Sequence, residues 1–128
     1  MTKFIIDTWS WIAYFSGEQK GEKVKVIVEG KNNEILTHWI AVAEIVSIAK
    51  RKNLGVEQII QGLFALSRFI SGSGEFAVKA GMRHAEIRER IKDFGLIDAC
   101  LLVAAEEANA KLVTGDPHFK GMKNVIMI

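Results

Sequence analysis

Proline and cysteine are nearly missing from this chain of 128 residues, with one of each. A lone cysteine, Cys100, excludes an internal disulfide and any cysteine-built metal knuckle. Its neighbours Ala99, Leu101 and Leu102 make it a buried, inert thiol, and a reducing, cytoplasmic setting is expected. With a single proline there is no proline-rich linker, and no repeat or low-complexity tract divides the chain. Long apolar runs are missing as well. The longest, Trp39 to Ala49, contains Glu44 and Ser47 and falls short of the roughly 18 apolar residues of a membrane span, so no membrane role is expected. Asp7 interrupts the first apolar stretch, so no signal peptide is expected either. Charge of one sign is also scarce. A net charge of +2 does not point to nucleic acid and does not oppose it.

What remains is a globular composition, 49% hydrophobic and 25% charged, suited to a single domain over residues 1–128 with one core. Short apolar stretches predict strands at Phe4–Ile6, Ile35–Thr37, Arg68–Ile70, Leu112–Thr114 and Val125–Met127. Helical spacing predicts helices at Thr8–Phe15, Glu22–Glu29, Trp39–Lys52, Val56–Leu66, Glu75 to about Lys92, and Ile97–Asn109. Asp7 and Ser73 are placed as N-caps, and Gly30, Asn53, Gly55 and Gly95 as breaks. Alternating short strands and helices predict an α/β fold: three layers, α/β/α, around a short, mainly parallel sheet.

In such a sheet the crevice beyond the carboxyl ends of the strands is the usual site. Asp7 directly follows the first strand. Asp116, in the stretch KLVTGDPHFKG, follows the fourth, where Pro117 forbids the strand to continue. Each also has a plain structural reading, as a helix cap and as a turn residue. Glu44 lies in a helix apolar almost all round and is expected to be largely buried, where an unpaired carboxylate is costly. Asp98 is the only charge between Asp93 and Glu106, though an acid in a helix's first turn also suits the macrodipole. Together the four would repel one another without a counter-charge. A divalent cation resolves that repulsion, and all-oxygen ligands suit Mg²⁺ or Mn²⁺. Sites of this kind cleave phosphodiesters with metal-activated water.

The stretches FIIDTWSWIAYF, AEIVSIAKR and KDFGLIDACLLVAAEEANAKLVTGDPHFKG resemble the PIN domain family over nearly the whole chain. The resemblance implies that Asp7, Glu44, Asp98 and Asp116 are the metal-binding and catalytic acids, with Thr8 and Thr114 as accessory residues. It implies a metal-dependent ribonuclease acting on RNA. Small members of the family are often VapC-like toxins with a cognate antitoxin protein, and usually dimerise, so a homodimer is expected. Trp9 departs from the pattern, because many members carry a small polar residue there.

Other signals point elsewhere and fail on context. Gly72 to Ala77 fits G-x-G-x-x-A, but the stretch around Asp93 reads as a helix end and not as the strand a dinucleotide site needs. Asp93-Phe94-Gly95 echoes a kinase triplet without its companions. An aspartyl nucleophile of the haloacid-dehalogenase kind needs a second aspartate two residues after Asp7, where Trp9 stands. His38, His84 and His118 read as surface or turn residues. Lys50, Arg51, Lys52, Arg83, Arg88, Arg90 and Lys92 read as solvated helix faces with acids at pairing distance, the other reading being an RNA path. Trp9, Trp11, Trp39, Tyr14 and Phe15 read as core by default, the other reading being a dimer and partner surface. The rival function is a PIN-like module that binds RNA or protein without cleaving.

Overall fold

The computed structural model describes residues 1–128. Five strands, β1 (Thr2–Ile6), β2 (Asn33–His38), β3 (Arg68–Ile70), β4 (Lys111–Thr114) and β5 (Val125–Met127), form one sheet in the order β3-β2-β1-β4-β5. Every pairing is parallel. The sheet is thus wholly parallel, and its central strands are apolar on both faces, with Ile5, Ile6, Leu36, Leu112 and Val113 all buried.

Six helices connect the strands: α1 (Thr8–Ser16), α2 (Gln19–Val28), α3 (Trp39–Arg51), α4 (Val56–Leu66), α5 (Gly74–Arg88) and α6 (Leu96–Ala108). Right-handed crossovers fix their sides. The steps from β1 to β2 and from β2 to β3 run one way along the sheet, so α1 to α4 share a face, where α1 packs on α2 and α3, and α3 on α4. The step from β3 to β4 runs back, so α5 and α6 cover the other face, with α6 lying on β1 and β4. The expected three layers are present. The direction reverses between β1 and β4, which makes their shared carboxyl edge the topological switch point.

The element bounds follow local chemistry. Asp7 caps α1, its Oδ1 accepting from the Ser10 N–H at 2.8 Å. Ser73 caps α5 through the Phe76 N–H at 3.2 Å. The helix expected to run to Lys92 stops at Arg88, where the ladder gives way to tighter bonds: Glu89 N–H donates to the Glu86 carbonyl, Arg90 N–H to that of Ile87 and Phe94 N–H to that of Ile91, and Phe94 is buried in the core. Helix α2 starts at Gln19, before the expected Glu22. Gly21 lets α2 lie close on α1, since a Cβ there would strike the Ala13 carbonyl.

Two expectations about the core are corrected. Helix α3 is not buried all round. Ala41, Ile45, Ile48 and Ala49 face inward, while Trp39, Ala43 and Ser47 are exposed, because only one side has elements to pack on. Of the five aromatics, Trp11 is fully buried and stacks on Phe15 at 5.5 Å, and Tyr14 and Phe15 pack against the core. Trp9 and Trp39 stand about half exposed. Cys100 is buried as expected. No helix is long and apolar enough to cross a membrane.

Candidate active site

The parallel sheet sends all its strand ends in one direction, and the connections leaving β1, β2, β3 and β4 each deliver one acid. Asp7 ends β1. Asp116 lies just past β4, where its Oδ1 accepts from the His118 N–H at 2.9 Å and caps a short 3-10 turn, Pro117–Phe119. Glu44 comes from the second turn of α3. Asp98 comes from the first turn of α6, where Gly95 lies against its carboxylate: a Cβ there would stand 3.1 Å from Oδ2. Asp7, Glu44, Asp98 and Asp116 line one pocket of about 340 Å³, together with Thr8, Trp9, Ser10, Lys20, Gly115 and Pro117. The structural readings of Asp7 and Asp116 also hold. Each carboxylate caps its own backbone and faces the pocket with what remains.

Burial and mutual repulsion shape the electrostatics. Asp98 is pushed up to about 7, first by burial and then by the negative charges of Asp116, Asp7 and Glu44, with His118 opposing. Asp7 is buried, and desolvation raises its pKa against the hydrogen bonds from Ser10 and beside Thr114. Neither of these acids, nor Glu44, forms an ion pair with lysine or arginine. His118 bridges two acids, with Nδ1 3.3 Å from Asp116 and Nε2 3.1 Å from Asp93. Thr114 is buried, and its Oγ1 accepts from the Asp116 N–H at 3.1 Å, which fixes the turn. Thr8 is also buried, but its Oγ1 has no partner.

The donor set fits a hard divalent cation. The pocket offers carboxylate and hydroxyl oxygens, an orphaned buried hydroxyl and uncompensated negative charge. As they stand, no three acidic, histidine or cysteine side chains close around a single point. Mg²⁺ needs no such cage, because it keeps several waters and takes one or two carboxylates directly.

The family model for the PIN domain matches residues 4–125.

The chain belongs to the PIN domain family.

No curated protein sequence matches this PIN domain. Solved structures do. VapBC2 from Rickettsia felis, bound to a DNA fragment from its promoter, matches at a TM-score of 0.74 and 21% identity, covering 99% of this chain and 98% of that one. VapC20 from Mycobacterium tuberculosis, a sarcin-ricin loop cleaving toxin, matches at 0.74 and 13%, covering 94% and 95%. DNA-bound VapBC from Salmonella typhimurium matches at 0.74 and 17%, covering 100% and 98%. At these identities the likeness is one of fold.

The structure brings all four expected acids to one pocket, with Thr8 in its lining and Thr114 behind Asp116. Glu44 is only half-buried, not largely buried as expected, because the pocket itself opens beside it. His38 is corrected outright. It is not a surface residue but is 1% exposed, stacked on Phe76 at 4.9 Å, and it caps α3 through Nδ1, which accepts from the Ile40 N–H at 3.2 Å. Burial lowers its pKa. Ser10 and Lys20 were not expected at the site. The spacing of Ser10 from Asp7 is the cap signature and was readable. Lys20 carries no local signal, because its place depends on how α2 packs on α1.

Proposed function

We propose that this PIN domain is a ribonuclease using Mg²⁺ or Mn²⁺, a toxin of the VapC type that hydrolyses RNA phosphodiesters. The observation that carries the reading is Asp98, held in the field of three other pocket carboxylates and in no ion pair with a lysine or arginine. Asp7, Glu44, Asp98 and Asp116 would hold the cation, with Thr8 and Thr114 as accessory groups. A divalent ion bound there supplies Lewis-acid activation of water and of the phosphodiester. The protein supplies the rest. Asp7 and Asp116 are fixed by their caps, so little reorganisation is needed when RNA arrives. A carboxyl that titrates near neutrality, Asp98, is suited to take or give a proton. The recessed pocket favours unpaired RNA, whose backbone can bend in where a duplex cannot. VapC20, whose fold this chain shares, is a sarcin-ricin loop cleaving toxin, and the VapBC complexes support a cognate antitoxin. A homodimer belongs to the same reading.

The non-catalytic module keeps one observation in its favour, that the acids do not close around a single point. Cleavage separates the two. Purified protein should cut unpaired RNA in a pool of tRNA, rRNA and mRNA with Mn²⁺ or Mg²⁺, and chelation should stop it. Asp98→Asn removes a charge and no volume, so the fold and RNA affinity should persist while the rate drops by orders of magnitude. Equal cutting by wild type and variant would indicate a contaminant. Metal-dependent RNA binding without any cutting would establish the module instead.

A further inference from the structure

Trp9 has no structural duty that explains it. It follows the Asp7-Thr8 pair, lines the acid pocket, and leaves 54% of its surface open. Single exposed apolar residues are ordinary on protein surfaces, so exposure alone says nothing. Placement says more. The indole stands at the rim of a pocket whose other walls are mostly polar, on the first turn of the helix that Asp7 caps. The Lys52 ammonium lies over the ring, 5.4 Å from its centroid, so the side chain has a cationic neighbour and still keeps open aromatic surface. Lys20 reaches the pocket from α2, its Nζ 3.5 Å from where a Cβ on Gly115 would sit. Neither lysine is in an ion pair. An open indole with one ammonium over it and a second in the same pocket, neither held in an ion pair, is an arrangement that binds single-stranded nucleic acid, with the ring stacking on a base and the cations meeting phosphates.

We propose that Trp9 is a base-stacking platform, holding an unpaired nucleobase of the RNA beside the acid pocket while Lys52 and Lys20 meet the flanking phosphates. This rests on the ribonuclease reading for its substrate. The ring is a positioning residue, not a catalytic one. Stacking reads the π-face that every base has, so the platform selects unpaired over paired RNA and carries little base preference.

The test uses the full chain with Asp98→Asn, which blocks cleavage, in Mg²⁺. Binding of octaadenylate is compared with that of an abasic ribose-phosphate oligomer of equal length. Adding Trp9→Ala should weaken octaadenylate binding about tenfold, the effect of losing one stacked base, and Trp9→Phe should restore most of it. The abasic oligomer should bind both proteins equally. Equal octaadenylate binding with and without the ring overturns the platform and leaves Trp9 to a protein partner. A proportional loss on the abasic oligomer, which would mark a structural role, also overturns the platform, as does absence of binding to either oligomer. Wild-type cleavage in Mn²⁺ is read alongside. Ring-dependent binding with no cleavage keeps the platform and rejects the ribonuclease, and cleavage with ring-independent binding does the reverse.

Discussion

On the flank formed by α5 and α6, Glu106 accepts from both terminal nitrogens of the Arg83 guanidinium, at 2.5 and 2.9 Å, and Glu107 meets Lys79 at 3.2 Å. At the carboxyl edge of the sheet, Asp7, Glu44 and Asp98 face one another with no such partner. The same residue types stand in both places, on neighbouring segments of one small domain. On the flank, folding itself brings the counter-charge, because the two helices that carry the partners pack together. At the pocket, folding gathers like charges and leaves the repulsion standing. A cation from outside the chain would relieve it. Charge that the fold neutralises is surface, and charge that it concentrates is a site.

The strongest way to break this contrast is to remove the pocket's charge. A cation that binds the folded chain alone adds about 2.7 kcal/mol of stability at a hundredfold excess over Kd, on the order of 10 °C in Tm for a domain of this size. Asp7→Asn with Asp116→Asn should abolish most of that response to Mn²⁺ in a thermal melt. Asparagine still accepts the Ser10 and His118 N–H groups, so the caps and the fold should survive. A metal-induced shift of unchanged size in the double variant would put the cation elsewhere.

A second test reads the repulsion without metal. The folded-state pKa of Asp98, about 7, lies above its ordinary value of 3.8. The folded chain therefore keeps a proton that the unfolded chain has already lost. The sign is opposite to that of a salt-bridged aspartate: stability falls as pH rises from about 4 to 7, then levels off. Asp7, raised mainly by desolvation, acts in the same direction. Asp98→Asn should therefore be more stable than wild type at pH 8 in EDTA, by roughly 2 kcal/mol once solvent access is discounted. Its advantage should shrink toward pH 5. Urea midpoints at the two pH values measure this, and parallel curves for the two proteins would mean that Asp98 feels no such field.

How much of this was legible in the sequence depends on how far apart the partners lie. Helix α4 and strands β3 and β5 fall on their expected bounds because their signals are local. Asp7 and Asp116 could be placed at one edge because parallel strands share a direction. Their adjacency follows from β1 pairing with β4, which no local pattern displays. His38 reads as a surface residue because nothing near it in the chain announces Phe76, which covers it from α5. Residue type alone puts Trp9 and Trp39 in a core, and composition alone buries all of α3, when only the arrangement of neighbours decides either. Lys20 reaches the pocket through a close helix approach at Gly21, which no run of residues displays.

The smallest expected effect sharpens the contrast from the flank. Arg83 and Glu106 are each over a third exposed in their side chains. The two-pronged geometry is favourable, yet an exposed ion pair is worth only about 0.2–1 kcal/mol, because water screens it and two long side chains must be held still. The pair raises the Arg83 pKa, but arginine is already charged throughout the working range, so no pH dependence follows near neutrality. Arg83→Gln should lower Tm by a few degrees at most, and 1 M salt should erase most of the difference from wild type. The metal-induced shift should be untouched, since α5 contributes nothing to the pocket lining. A double-mutant cycle with Glu106→Gln isolates the pair. If Arg83→Gln weakened the metal response as much as a pocket substitution does, the flank and the pocket would be coupled, and the division between neutralised surface and concentrated site would fail.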